Sequence, residues 1–279
     1  MGRMVETLLW VWIVLGSEVC SVSLPGITDA KFINDCVSEH NRARSSVNPP
    51  ASDMLYMTWD EGLAITARAW ARHCRFEHNI YLDDVRRVHP TFNSVGENLW
   101  IGSPQSSFTV KGAIQSWVKE KVDYNYNRNA CTNKCGHYTQ VVWASSYKVG
   151  CAVQLCQNGV IGGFGNRETV NFVCNYAVGG NVIGMRPYES QGTACSRCEG
   201  TCLDSLCRSQ ERDSPKSYTW APDWAPGWAP DWAPDWDPVQ TYSDSNYVNI
   251  LVVRPIALIL TFIAAYAVHH FYPDTFCYE

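Results

Sequence analysis

The chain has 279 residues, a formal net charge of −5 at pH 7 and 13 cysteines. The charge is mild and no run of lysine or arginine occurs, which excludes a nucleic-acid surface. So many cysteines behind a secretory-type N-terminus exclude a reducing compartment and imply structural disulfides.

Residues 1–23 read as a signal peptide. Arg3 gives a weakly basic start, and the apolar run Leu8 to Leu15 is too short to span a bilayer. Small residues follow at Gly16, Ser17, Ser21 and Ser23, so cleavage near Ser17 and cleavage after Ser23 both stay open. A buried N-terminal helix is the alternative. With cleavage after Ser23, Cys20 leaves with the signal; Cys277 lies beyond the last apolar run. The eleven cysteines from Cys36 to Cys207 are an odd number, so one thiol is left without a partner. No Asn-x-Ser/Thr sequon occurs.

Residues 32–188 read as one globular domain. Ile33, Cys36, Val37, His40 and Arg44 recur at helical spacing, and Pro49-Pro50 ends that region. A second helix follows Trp59-Asp60, with Leu63, Ala64, Ala67, Trp70, Ala71 and Cys74 as its stripe. A third runs from Thr109 to Lys121 on Val110, Ala113, Ile114 and Trp117. Strands are expected at Val149–Leu155 and Thr169–Tyr176, separated by the turn-rich stretch Gln157–Asn166. Helices first and strands later indicate an α+β sandwich rather than a doubly wound parallel sheet.

In the segment 189–210, Cys195, Cys198, Cys202 and Cys207 crowd together in a stretch too small to bury a core. The Cys-x-x-Cys start fits zinc in isolation, but a secreted context favours two disulfides. Residues 211–247 carry a Trp-Ala-Pro-Asp repeat, with Trp220, Trp224, Trp228, Trp232 and Trp236 four residues apart. Proline in every repeat forbids a stable helix and removes sheet donors, so an extended stalk is expected. A role as an aromatic ligand for a membrane interface or a partner is the sharper alternative. Residues 248–270 read as a single transmembrane segment if Arg254 snorkels, and 271–279 as a short tail. A lipid-anchor signal with attachment near Ser243, Asp244 or Ser245 is the rival.

Four local patterns identify a family. They are His40-Asn41-Arg42-Ala43-Arg44, Gly96-Glu97-Asn98-Leu99-Trp100, Gly136-His137-Tyr138-Thr139-Gln140-Val141-Val142-Trp143, and Phe172-Val173-Cys174-Asn175-Tyr176. Together and in this order they resemble the CAP family of cysteine-rich secretory, antigen 5 and pathogenesis-related proteins. Within it they resemble the glioma pathogenesis-related branch, to which Cys131 to Tyr138 also points. The resemblance covers Phe32 to about Cys207 and implies a three-layer α-β-α sandwich.

The resemblance further implies a shallow cleft holding two histidines and two acidic residues, here His78, Glu97, Glu120 and His137. Glu120 sits three residues after Trp117 and so borders the buried stripe; the other three fall at element ends or in loops. Two imidazoles fit a weak site for zinc or another divalent ion, with positions left for water or carboxylate. A self-satisfied polar cluster is the alternative. His89 competes from a loop near Glu97. His40 reads as a core histidine and Cys36 as the unpaired, buried thiol. By analogy with the family, the disulfides are Cys74–Cys156, Cys151–Cys174, Cys131–Cys135, Cys195–Cys202 and Cys198–Cys207.

No catalytic Ser-His-Asp or Cys-His pattern emerges. The leading expectation is an extracellular, membrane-anchored binding or signalling module of type I orientation, also released by shedding. The resemblance implies lipid or sterol binding, immune defence or reproduction without selecting one. A metal-dependent hydrolase using the His/Glu cleft and an adhesion protein acting through the repeats are the other two readings. The further cysteine-rich module of the larger family members is replaced here by the repeats.

Overall fold

The computed structural model describes residues 24–225 and 254–271. The signal peptide, repeat residues 226–247, the start of the apolar segment and the tail 272–279 lie outside them.

The first helix, α1 (Ala30–Ser45), starts where the Asp29 carboxylate accepts the Phe32 N–H at 2.7 Å. Strand β1 (Thr58–Trp59) leads into α2 (Glu61–Ala71), capped in the same way by Asp60 on the Leu63 N–H at 3.0 Å. Strand β2 (Gly96–Gly102) precedes α3 (Val110–Lys119), capped by Thr109. A small hairpin of β3 (Tyr124–Asn125) and β4 (Ala130–Cys131) separates α3 from the short helix α4 (Gly136–Val141). The long strands β5 (Lys148–Cys156) and β6 (Thr169–Ala177) follow, and a hairpin of β7 (Thr201–Leu203) and β8 (Leu206–Arg208) closes the cysteine-rich segment.

The main sheet has the order β1-β5-β6-β2. Its pairs are antiparallel except β1 with β5. Residue alternation along β6 sends Phe172, Cys174 and Tyr176 to one face, where they meet α1, α3 and α4 through Phe32, Cys36, Ile114, Trp117, Tyr138 and Val141. Val173 faces the other way with Ala152 and Leu99, against Ala64, Ala67 and Trp70 of α2. All nine residues of β6 are buried, because helices cover both faces of the sheet. These layers form the α-β-α sandwich. Helix α2 approaches the sheet so closely that a Cβ on Gly150 would stand 2.1 Å from the Ala64 backbone nitrogen.

Disulfides join Cys74–Cys156, Cys151–Cys174, Cys131–Cys135, Cys195–Cys202 and Cys198–Cys207, and Cys36 is free and buried. The bridge Cys151–Cys174 links register partners of β5 and β6.

Three details differ from the sequence reading. The third helix stops at Lys119 and continues as a 3-10 turn, Glu120–Asp123, because Glu120 is pulled toward α4. The motif Gly96–Trp100 is strand, not loop, so Glu97 lies inside a paired element. Residues 211–225, the expected start of the stalk, fold back onto the domain: Trp220 and Trp224 pack beside Ala64 and Trp70. Indole burial there outweighs the extended preference of the prolines.

In the C-terminal segment, the residues described form one helix, Arg254–Phe271. No described helix is long and apolar enough to cross a membrane. Its 18 residues rise about 27 Å, against a hydrocarbon core of about 30 Å.

Candidate functional site

Each glutamate of the cleft holds one histidine. On β2, the Glu97 side chain is wholly buried. Its Oε1 accepts from His78 Nδ1 at 3.0 Å and from the Asn79 N–H at 2.9 Å. With the Asn175 amide oriented to satisfy its neighbours, its nitrogen donates to Glu97 Oε2 at 3.2 Å and its oxygen accepts the Ala67 N–H. Burial pushes the Glu97 carboxyl above its ordinary value, against the opposing pull of His78 and the Asn79 N–H. The hydrogen bond to Glu97 raises the His78 imidazole above its own. His78 nevertheless reaches solvent, with its side chain 63% exposed.

The second pair joins α3 to α4. Glu120 Oε1 accepts from His137 Nδ1 at 2.7 Å, and Oε2 accepts the backbone N–H groups of His137 and Tyr138 at 3.0 and 3.4 Å. Cys135, the residue before α4, offers no side-chain cap. Glu120 therefore serves as the cap of α4 from another element, and its charge faces the positive end of that helix. The His137 ring stacks on Trp117, at 6.2 Å between centroids, and the Trp117 indole donates to the Leu99 carbonyl at 3.0 Å.

Carboxylates only accept, so each Nδ1 carries the proton and each Nε2 keeps a lone pair. Among the described residues no protein group bonds either Nε2. Both histidines line one cavity of about 320 Å³, together with Glu97, Asn98, Lys134 and Gly136. A neighbouring hollow of about 450 Å³ shares Phe76, Leu99, Lys134 and His137 with it and is walled by Trp100, Trp117 and Phe164. Two imidazoles with free Nε2 atoms and carboxylate-held Nδ1–H groups fit a divalent cation, because the carboxylates fix the rings. The remaining positions would fall to water, which makes such a site weak. Among the described residues, three His, Cys, Asp or Glu donors converge within 4.8 Å only at Cys195, Cys198 and Cys207. These sulfurs are in disulfides and offer no thiolate.

His89 stands elsewhere. It is buried, its Nε2 donates to Asp60 Oδ1 at 3.0 Å, and its Nδ1 accepts from the Thr91 and Phe92 N–H groups. It braces the cap of α2, and a Cβ on Gly62 would stand 2.5 Å from its Nε2.

Sequence reasoning missed two groups behind the cleft. Asn98 Nδ2 donates to the His137 carbonyl at 3.1 Å and to the Tyr176 hydroxyl at 3.2 Å. Tyr176 in turn donates to His40 Nε2 at 2.9 Å, and His40 Nδ1 donates to the Cys36 carbonyl at 2.7 Å. Burial holds the His40 imidazole down at about 4, so it is neutral. Arg44 is the second. Fully buried, it donates to the carbonyls of Leu55, Val141, Trp143 and Ala144, closing the C-terminal end of α4. Its place on the inward face of α1 was the available signal.

Fold and cleft together define a disulfide-stapled α-β-α domain with a paired His/Glu cleft. The chain belongs to the cysteine-rich secretory protein family, CAP, whose profile matches residues 37–176. It is 50% identical to GLIPR1-like protein 1 of Bos taurus over 200 residues, 71% of this chain and 80% of that protein. It is 41% identical to glioma pathogenesis-related protein 1 of Mus musculus over 270 residues, 95% of each chain. Among solved structures it resembles NaASP2 with Zn²⁺, at TM-score 0.51 and 26% identity over 64% of this chain and 96% of that one.

Proposed function

We propose that this chain is an extracellular binding module whose cleft takes a divalent cation weakly through His78 and His137 and receives a lipid or protein ligand beside it. The observation that carries this reading is the paired arrangement: each Nδ1 is held by its own glutamate and both imidazoles line one cavity. The NaASP2 crystal structure is one with Zn²⁺, which supports zinc as the first ion to try. Hydrolysis is not favoured, because Glu97 is wholly buried and the oxygens of Glu97 and Glu120 are already engaged by His78, Asn79, Asn175, His137 and Tyr138.

Zinc titration by calorimetry on the full chain tests the site. His78→Ala combined with His137→Ala should abolish binding and leave the fold intact; unchanged affinity in that variant refutes the reading. Lipid extraction and mass spectrometry of the purified chain then test the ligand class.

We also propose attachment to a membrane through residues 248–270. The apolar composition of Ile256–Ala267 supports it. Truncation before Tyr247 should release a soluble form from cells. Release of the full chain by a phosphatidylinositol-specific phospholipase would replace the single span with a lipid anchor.

A further inference from the structure

The first copy of the repeat sits in a built groove. Trp224 stacks on Tyr81 with centroids 4.9 Å apart and planes 24° from parallel, and meets Trp70 edge-on at 6.1 Å. Its indole N–H donates to the Arg87 carbonyl at 2.8 Å. Asp223 pairs with the Arg87 guanidinium at 3.1 Å, and that guanidinium lies 4.2 Å over the Tyr81 ring. The Ala225 N–H donates to the Pro222 carbonyl at 3.2 Å, closing a turn, and Ala225 is buried. Upstream, the Tyr218 hydroxyl donates to Asp60 Oδ2 at 2.8 Å and Trp220 packs near His89. Tryptophan thus meets an aromatic slot and aspartate a guanidinium, while the turn from Pro222 and the burial of Ala225 hold the segment in shape.

The docked hexapeptide Trp220–Ala225 recurs letter for letter at Trp228–Ala233. We propose that this surface is a peptide-recognition site for Trp-Ala-Pro-Asp-Trp, and that a second copy of the chain fills it with its Trp228–Trp232 when the resident Trp220–Trp224 withdraws. Charge complementarity between aspartate and Arg87 sets the register. The unit Trp224-Ala225-Pro226-Gly227-Trp228 has glycine in the aspartate position and is therefore disfavoured. The resident copy competes at the high effective concentration of a tethered ligand, so exchange between chains needs that copy displaced.

The test uses the full chain with Trp220, Asp223, Trp224, Trp228, Trp232 and Trp236 all changed to alanine, which vacates both the aromatic slot and the Arg87 guanidinium and removes the internal competitors. The probe is a fluorescent Trp-Ala-Pro-Asp-Trp-Ala peptide read by anisotropy. The emptied chain should bind it at least tenfold more tightly than the unaltered chain, and a scrambled Ala-Trp-Asp-Pro-Ala-Trp peptide should not bind. Adding Arg87→Glu should weaken the aspartate peptide at least tenfold and favour a Trp-Ala-Pro-Lys-Trp-Ala peptide, with an unchanged thermal melt as the check that the fold is kept. A donor chain carrying Tyr81→Ala and Arg87→Glu but all its tryptophans should then pair one-to-one with the emptied chain in sedimentation. Equal binding of the scrambled peptide, no change of preference on charge reversal, or absence of the pair would overturn the proposal.

Discussion

Glu120 grips His137 twice, at the ring Nδ1 with Oε1 and at the backbone N–H with Oε2, 2.7 and 3.0 Å away. One carboxylate therefore fixes both the position of α4 and the orientation of its imidazole. Glu120→Ala leaves the two α4 amides and the ring N–H without this acceptor, at a cost of about 1–3 kcal/mol in stability. If the cleft binds zinc, affinity should also fall by roughly 10- to 100-fold. Glu120→Gln keeps one acceptor oxygen and should recover stability more than affinity. Thermal melts and calorimetry on the two variants check this, and an unchanged melting temperature in Glu120→Ala would remove the capping role.

The His40 imidazole, held near 4 by burial, binds its proton far less readily than in the unfolded chain, where about 6.5 applies. Between these values the unfolded state takes up more protons. The stabilisation is complete above pH 6.5 and is lost as pH falls through about 4, with a total of about 3 kcal/mol. Glu97 has the opposite sign: its raised pKa favours the protonated folded form and lets stability recover slightly on the acid side. Denaturation midpoints between pH 7 and 4.5 should drop less steeply in His40→Gln than in the unaltered chain.

Arg44 donates five hydrogen bonds to four carbonyls. Lysine is a single point of charge and cannot reproduce that planar fork. Arg44→Lys should cost about 2–4 kcal/mol, lowering the denaturation midpoint without changing the disulfide pattern. A midpoint equal to that of the unaltered chain would show the guanidinium to be dispensable.

Cys36 is the free thiol of the described domain, and burial pushes its pKa well up. It should resist alkylation in the native protein and react only after unfolding. Peptide mapping without reduction, before and after denaturant, reads both this and the five bridges. Rapid native labelling at Cys36 would contradict its burial.

Much of the fold is legible in the residues. Asp60 and Thr109 announce helix starts because their side chains can accept the N–H three residues on, from Leu63 and Gly112, and the stripes of α2 and α3 fall on one face of a helix. Strand β2 was harder to read, since Gly96–Gly102 packs against helices on both faces and shows no alternation. The four cleft residues could be named from the motifs, but their pairing could not. Glu97 and His78 meet through the pairing of β2 with β6 and the return of the loop before it, and Glu120 reaches His137 only once α3 and α4 are packed. Arg44 reads as a surface charge by type, yet it is buried because distant carbonyls need its donors. The docking of Trp224 depends on Tyr81 and Arg87, far earlier in the chain, and repeat periodicity carries no trace of them.

The chain of contacts behind the cleft spans long reaches of sequence: His40 and Tyr176 are 136 residues apart, Asn98 and Tyr176 are 78 apart, and Asn98 and His137 are 39 apart. Closing such loops is entropically unfavourable until the sheet between them is in place. The cleft is therefore expected to acquire its shape late in folding. A chain that has formed α1 and α2 but not the β2–β6 pairing presents His78 without Glu97 held in place behind it. A ligand that needs the finished cleft would thus distinguish the completed domain from one whose β2–β6 pairing has not formed.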